Sequence, residues 1–226
     1  MGRRWAATML VIVAGCGGTG RPDAAATRAL ALRELEKLGA DIRHDEARPG
    51  RPVVEIDLTR QLLTDNDLQY ISPFGELKVL RLGSTEVTTA ALAHLTGLAR
   101  LEKLDLSRTK AGDDGLHHLA GLKELRALYL NGTPVTDAGL IHLKDLPNLE
   151  VLELEHNAVG DAGLAHLAGL ARLQELNLTG TKVTDAGLTH LRGLTRLYHL
   201  YLSGTAVTLD GTDALKKAVP DVKITR

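Results

Sequence analysis

A single period governs what this chain can fold into. From Leu77, the pattern LxxLxLxxTxVTDAGLxHLxGLxx restarts at Leu101, Leu125, Leu149, Leu173 and Leu197, every 24 residues and with no insertion. A fainter copy begins at Val53, where Val53, Ile56, Leu58, Leu63, Leu68, Ile71 and Phe74 hold the matching apolar positions. Seven copies therefore run from Val53 to Pro220, about three quarters of the 226 residues. A unit this short cannot bury its own apolar face, so each copy must stack on the next and the chain must grow as a quasi-one-dimensional array.

Within one copy, Leu125, Leu128 and Leu130 carry a strand whose inward positions alternate at Leu128 and Leu130. Thr136 and Asp137 then supply a helix N-cap and a first-turn carboxylate, and Leu140, Leu143 and Leu146 recur at a spacing of three along one face. Spacing and residue type together resemble the leucine-rich repeat family, and the VTDAGL segment is most similar to ribonuclease-inhibitor-like and F-box-type repeats. The resemblance implies an α/β leucine-rich repeat solenoid, a right-handed β-α superhelix with parallel strands on the concave face and helices on the convex face. It also implies protein-partner binding. Where those repeats carry Cys at the ninth position, this chain has Thr85, Thr109, Thr133, Asn157, Thr181 and Thr205, whose hydroxyl or amide can bond the turn behind the strand.

Both ends of such an array need covers. Residues 23–52 are expected to form the N-terminal one. Asp23 to Leu38 read as a helix closed by Gly39, with Leu30, Leu35 and Leu38 among its apolar residues, and Ile42, the Arg48-Pro49-Gly50 turn and Val53-Val54 read as a hairpin. At the other end the pattern decays: Thr212 replaces a helix Leu, Lys216 and Lys217 enter, and Val222 with Ile224 make a last short strand over 221–226.

The first residues read as a leader. Arg3 and Arg4 precede the apolar run from Ala6 to Ala14, which is about half the length that crosses a bilayer. Val13-Ala14-Gly15-Cys16 resembles the bacterial lipobox, which implies a signal peptide over 1–15, acylation of Cys16, export, and a lipid-anchored place in the cell envelope. An ordinary signal peptide with an incidental Cys, or a buried apolar helix, is the alternative. Residues 16–22 read as a flexible tether. Cys16 is the only cysteine, so no internal disulfide or CxxC motif is available.

With 27 basic and 28 acidic residues the formal charge is −1, and no basic stripe invites nucleic acid. The array can instead be read as columns on the strand face. The fifth column is Asp57, Arg81, Asp105, Tyr129, Glu153, Asn177 and Tyr201; the third is Glu55, Val79, Lys103, Ala127, Val151, Glu175 and His199; the second ends at Gln174 and Tyr198. Neighbours in a column should lie about 4.8 Å apart, so Asp57, Arg81 and Asp105 form a ladder of alternating sign that needs no ligand. Three of the four tyrosines fall here. Tyr129, Glu153, His156, Asn177, Tyr198, His199 and Tyr201 are the expected contact residues, since exposed aromatics anchor binding hot spots; the alternative is that the tyrosines merely stack on their neighbours.

Other chemistry finds less support. His94, His118, His142, His166 and His190 share the eighteenth position and read as residues packed between repeats, since a column of identical edge residues offers no convergent metal ligands. Asp113, Asp137, Asp161 and Asp185 are repeated helix-start acids, and no GxSxG, HExxH or P-loop occurs. His199, Glu175 and Ser203 can be imagined as a triad, but a repeat array puts such combinations on a face by chance. The expectation is a monomeric, non-catalytic interaction protein with no cofactor, no metal and an unidentified protein partner. A glycan or peptidoglycan receptor, with Tyr129, Tyr198 and Tyr201 stacked on sugar rings and Glu153 and Asn177 bonding hydroxyls, is the alternative.

Overall fold

The computed structural model describes residues 23–226; the leader, Cys16 and the tether lie outside the described residues. Nine strands form one sheet in strict chain order. β1 (Asp41–His44) is antiparallel to β2 (Val53–Asp57), and every later pairing is parallel: β3 (Val79–Arg81), β4 (Lys103–Asp105), β5 (Ala127–Tyr129), β6 (Val151–Glu153), β7 (Glu175–Asn177), β8 (His199–Tyr201) and β9 (Lys223–Thr225). The register is constant, Leu80 facing Leu104, then Leu128, Leu152, Leu176 and Leu200. No crossover interrupts it, so the sheet is a stack of copies related by one repeated step.

Alternation dictates the core. In each three-residue strand from β3 to β8 the middle Leu is fully buried and its two neighbours stay half-exposed on the other face. The buried leucines meet those of the return segments in one continuous core from Ala31 to Val222. At the ninth position Thr85, Thr109, Thr133, Asn157 and Thr181 are buried and Thr205 is half-buried, and the hydroxyls of Thr85, Thr109, Thr133, Thr181 and Thr205 donate to the carbonyl three residues back. Asn157 bonds both the Thr133 hydroxyl, at 2.9 Å, and the backbone N–H of Gly132. Every buried side-chain polar atom among the described residues is partnered.

The return segments are shorter and tighter than the expected helices. Residues 65–70, 89–95 and 113–119 are 3-10 helix throughout. α2 (Asp137–Leu140), α3 (Asp161–Ala165) and α4 (Asp185–Leu188) are single α turns, two of them running on into 3-10 helix. The spacing of three between Leu140, Leu143 and Leu146 is the reason: three residues per turn place them in one row, whereas 3.6 would let the row drift. The last copy alone carries a longer α-helix, α5 (Leu209–Ala218), in which the hydroxyl of buried Thr212 donates to the Leu209 carbonyl.

The N-terminal helix α1 (Ala24–Lys37) is capped by Asp23 and turns out through Gly39, whose φ of +83° a side chain would resist. Of its apolar residues Leu30 is 41% exposed, while Ala31 and Leu35, four residues apart, face the core.

Two features hold adjacent copies together. At each of the six junctions between copies, the side chain at position thirteen accepts the backbone N–H at position twelve of the next copy. Asp65 takes Thr88, Thr89 takes Gly112, Asp113 takes Thr136, Asp137 takes Gly160, Asp161 takes Thr184 and Asp185 takes Thr208. Where the acceptor is Asp and the partner is Thr, the threonine hydroxyl donates to the second carboxylate oxygen as well. These acids are therefore stitches between copies, a role that the reading as helix-start acids missed. The glycine of the motif makes room for them, since a methyl group at Gly163 would come 2.4 Å from Asp137 Oδ1.

The second feature is the turn that leaves each strand. Position eight is left-handed in all seven copies: Arg60, Ser84, Arg108, Gly132, His156, Gly180 and Gly204 have φ between +56° and +71°. In the first six copies its N–H donates to the position-seven carbonyl of the next copy, for example His156 to Thr179 at 2.8 Å. Only three of the seven are glycine, so four copies accept a strained backbone to keep the bond.

Candidate functional site

The half-exposed face of the sheet carries the columns as the repeat arranges them, in the register Arg81, Asp105, Tyr129, Glu153, Asn177, Tyr201 and Val79, Lys103, Ala127, Val151, Glu175, His199. Its two halves differ in how their charges are met. Around β2 to β4, Arg81 hydrogen-bonds Glu55 and lies 3.6 Å from Asp57, and Arg43 reaches Glu55 at 3.2 Å. The expected ladder of Asp57, Arg81 and Asp105 is thus only partly formed. Arg81 prefers the third-column carboxylate, and the Asp57 and Asp105 side chains turn back to accept the N–H groups of Thr59 and Ser107 in the strand-exit turn. These acids hold Arg81 firmly protonated, Glu55 foremost through its hydrogen bond.

Around β6 to β8 no Lys or Arg among the described residues pairs with Glu153, Glu155 or Glu175. Glu153 accepts hydrogen bonds from the amides of Asn177, at 2.8 Å, and Asn131, at 3.3 Å. Burial pushes its pKa up; the amides oppose this, while Glu175 and Glu155 reinforce it. Asn177 also holds the turn, accepting from the Thr179 N–H. The field of Glu175, with burial, a hydrogen bond to Glu175 and the field of Glu153 behind it, keeps the Tyr201 phenol protonated.

The aromatic residues form one group and one outlier. Tyr198 and His199 have ring centroids 4.7 Å apart, and His199 and Tyr201 6.2 Å apart. Tyr129 stands three strands away on β5. Lys103 lies over the Tyr129 ring at 4.7 Å and Lys223 over Tyr198 at 4.3 Å, so two tyrosines already carry a cation from this chain. His156 stands apart from the columns at the strand-exit turn, its ring over Gly180 and its Nε2 3.4 Å from Glu155.

In the histidine column His94, His118, His142 and His166 are half-buried and His190 is exposed. His117 and His118 have ring centroids 3.8 Å apart, with His142 6.1 Å from His117, but among the described residues no group of three or more His, Cys, Asp or Glu could hold a metal ion. Burial, with the neighbouring His117, pulls the His118 pKa down. Glu175 faces His199 in register, yet among the described residues no hydrogen bond joins His199 to Glu175 or Ser203, so the contact a nucleophile needs with its base is not made. A depression of about 240 Å³ lies between α4 and α5 and one of about 180 Å³ beneath the hairpin, neither of them on this face. No helix among the described residues is long and apolar enough to cross a membrane.

Residues 125–183 and 147–207 match the leucine rich repeat family in two overlapping stretches. No curated protein sequence matches the chain. Among solved structures it is similar to the internalin inlF of Listeria monocytogenes, at 23% identity and a TM-score of 0.64, over 89% of this chain and 54% of that one. It is also similar to the internalin inlC2 of the same organism, at 23% identity and a TM-score of 0.57, over 87% of this chain and 92% of that one. The chain thus spans about half the length of the first of these structures. The likeness shows the fold.

Proposed function

We propose that this α/β leucine-rich repeat solenoid is a non-catalytic interaction module that presents its concave sheet face to a protein partner while a lipid on Cys16 holds it at the cell envelope. One observation carries the reading. The core, the stitches and the strand-exit turns repeat the same chemistry in copy after copy, whereas the third and fifth columns change residue at almost every step. Positions free of the stacking constraint are where a binding surface can be written. Tyr129, Glu153, Asn177, Tyr198, His199 and Tyr201 are its contact residues, with His156 at the rim. The alternative of sugar stacking draws less support, because lysines occupy the rings of Tyr129 and Tyr198.

Affinity capture from the membrane fraction tests the face. A partner bound by the parent chain should be lost when Tyr129→Ala and Tyr201→Ala are combined in a folded variant; a partner retained by that variant sinks the concave-face reading. Labelled fatty acid should enter the parent chain and not Cys16→Ala, and equal labelling of both would remove the anchor.

A further inference from the structure

We propose that the C-terminal half of the concave face seats a lysine- or arginine-bearing segment of the protein partner, with one cation over the ring of Tyr201 beside Glu175. The inference rests on the concave-face reading and names the chemistry of what docks there. Charge complementarity is the first argument. Around β1 to β4, Asp41, Glu55, Asp57 and Asp105 are set against Arg43, Arg81 and Lys103, and Arg43 and Arg81 pair with Glu55 and Asp57 within the chain. Around β6 to β8, Glu153, Glu155 and Glu175 are set against Lys223 alone, and Lys223 lies over Tyr198. Among the described residues no Lys or Arg reaches any of these three carboxylates within ion-pair distance; only His156 approaches Glu155.

The second argument is that the chain shows the binding mode twice within itself. Lys103 over Tyr129 and Lys223 over Tyr198 place an ammonium on a ring at 4.7 and 4.3 Å. Tyr201 is the third tyrosine of the face, flanked in its column by Asn177 and Thr225, with Glu175 near its hydroxyl and, among the described residues, no cation over it. A ring with Glu175 near its hydroxyl and Glu153 two strands along its column lacks only the cation, and a partner's Lys or Arg would gain both the ring and the charge. The amides of Asn177 and Asn131 hold the Glu153 carboxylate in place before anything docks.

The test uses the full chain and a fluorescent peptide of alternating lysine and glycine, followed by anisotropy at low salt. Saturable binding is expected. Tyr201→Ala and Glu175→Gln should each raise Kd about fivefold, the loss of roughly 1 kcal/mol, and Tyr201→Phe, which keeps the ring, should bind like the parent. Glu86→Gln, the same charge change on a loop away from the sheet face, should leave Kd within about twofold. Circular dichroism confirms that each variant is folded. No saturable binding, an equal effect of Glu86→Gln and Glu175→Gln, or a Tyr201→Phe variant as weak as Tyr201→Ala would overturn the proposal. If the peptide is ignored while the double tyrosine variant still loses its captured partner, the basic-segment inference falls alone and the concave-face reading stands.

Discussion

At position thirteen the repeat reads Asp65, Thr89, Asp113, Asp137, Asp161 and Asp185, and every one accepts the same backbone N–H from the next copy. At position five it reads Asp57, Arg81, Asp105, Tyr129, Glu153, Asn177 and Tyr201, and no two neighbours do the same thing. Both columns run the length of one solenoid. The difference lies in what each must satisfy: a stitch has to meet a backbone donor that recurs every 24 residues, while a sheet-face side chain answers to whatever its neighbours offer, a turn N–H at Asp57, Asp105 and Asn177 but a carboxylate at Arg81. Sameness marks the layers that carry stability, and variety marks the face that stacking leaves unconstrained.

Substitutions can break that division. The largest effect belongs to the core. Leu152 is fully buried at the centre of β6, and Leu152→Ala should cost about 2–5 kcal/mol in chemical denaturation, with strands β5 and β7 losing exchange protection alongside it. A loss confined to one copy would mean that the copies do not lean on one another.

A stitch comes next. Asp161 accepts the Thr184 N–H at 2.8 Å and its hydroxyl at 2.7 Å, so Asp161→Ala leaves two donors unmet and should cost about 1–3 kcal/mol. Asp161→Asn keeps an acceptor for the N–H and can donate to the hydroxyl, and it should recover most of the loss in thermal melts. An Asn variant as unstable as Ala would show that charge, rather than the bond to the next copy, gives the acid its role.

These layers were legible in the sequence to different depths. The unbroken period announced the stacking, and alternation within each strand announced which leucines turn inward, because both depend on local geometry alone. The stitches were harder, since Asp161 looks like an ordinary helix-start acid until its partner 23 residues on is placed beside it. The 3-10 character was written in the spacing of Leu140, Leu143 and Leu146, yet spacing three also suits a short α turn. The left-handed column left a faint trace, glycine at Gly132, Gly180 and Gly204, obscured by Arg60, Ser84, Arg108 and His156. On the concave face the columns could be read directly, but the choice of Glu55 over Asp57 by Arg81 depends on side-chain geometry that no pattern encodes.

His156 offers a sharper version of the comparison, because the sequence places it among the contact residues and the structure places it in a turn. With φ at +58° it holds a conformation glycine adopts freely, so His156→Gly should stabilise the fold by about 0.5–1 kcal/mol. The bond from its N–H to Thr179 does not depend on the side chain. If the glycine variant melts lower, the ring over Gly180 contributes more than the backbone strain costs.

Glu153 gives the smallest effect and the clearest sign. Burial raises its folded pKa above the unfolded value, so between the two the folded state holds a proton that the unfolded state has released. Ionised Glu153 therefore weighs against folding at neutral pH, and the penalty is lost as pH falls through the raised pKa toward the ordinary carboxylate range of about 4. Glu153→Gln removes the charge and leaves a carbonyl oxygen to accept from Asn177. The variant should melt slightly above the parent at about pH 7, and the gap should close by about pH 4, below the unfolded carboxyl value. Melting curves across that range decide it. A gap that opens toward acid pH would mean the carboxylate is held in place by favourable bonds, like a stitch, and the sheet face would then carry stability of its own.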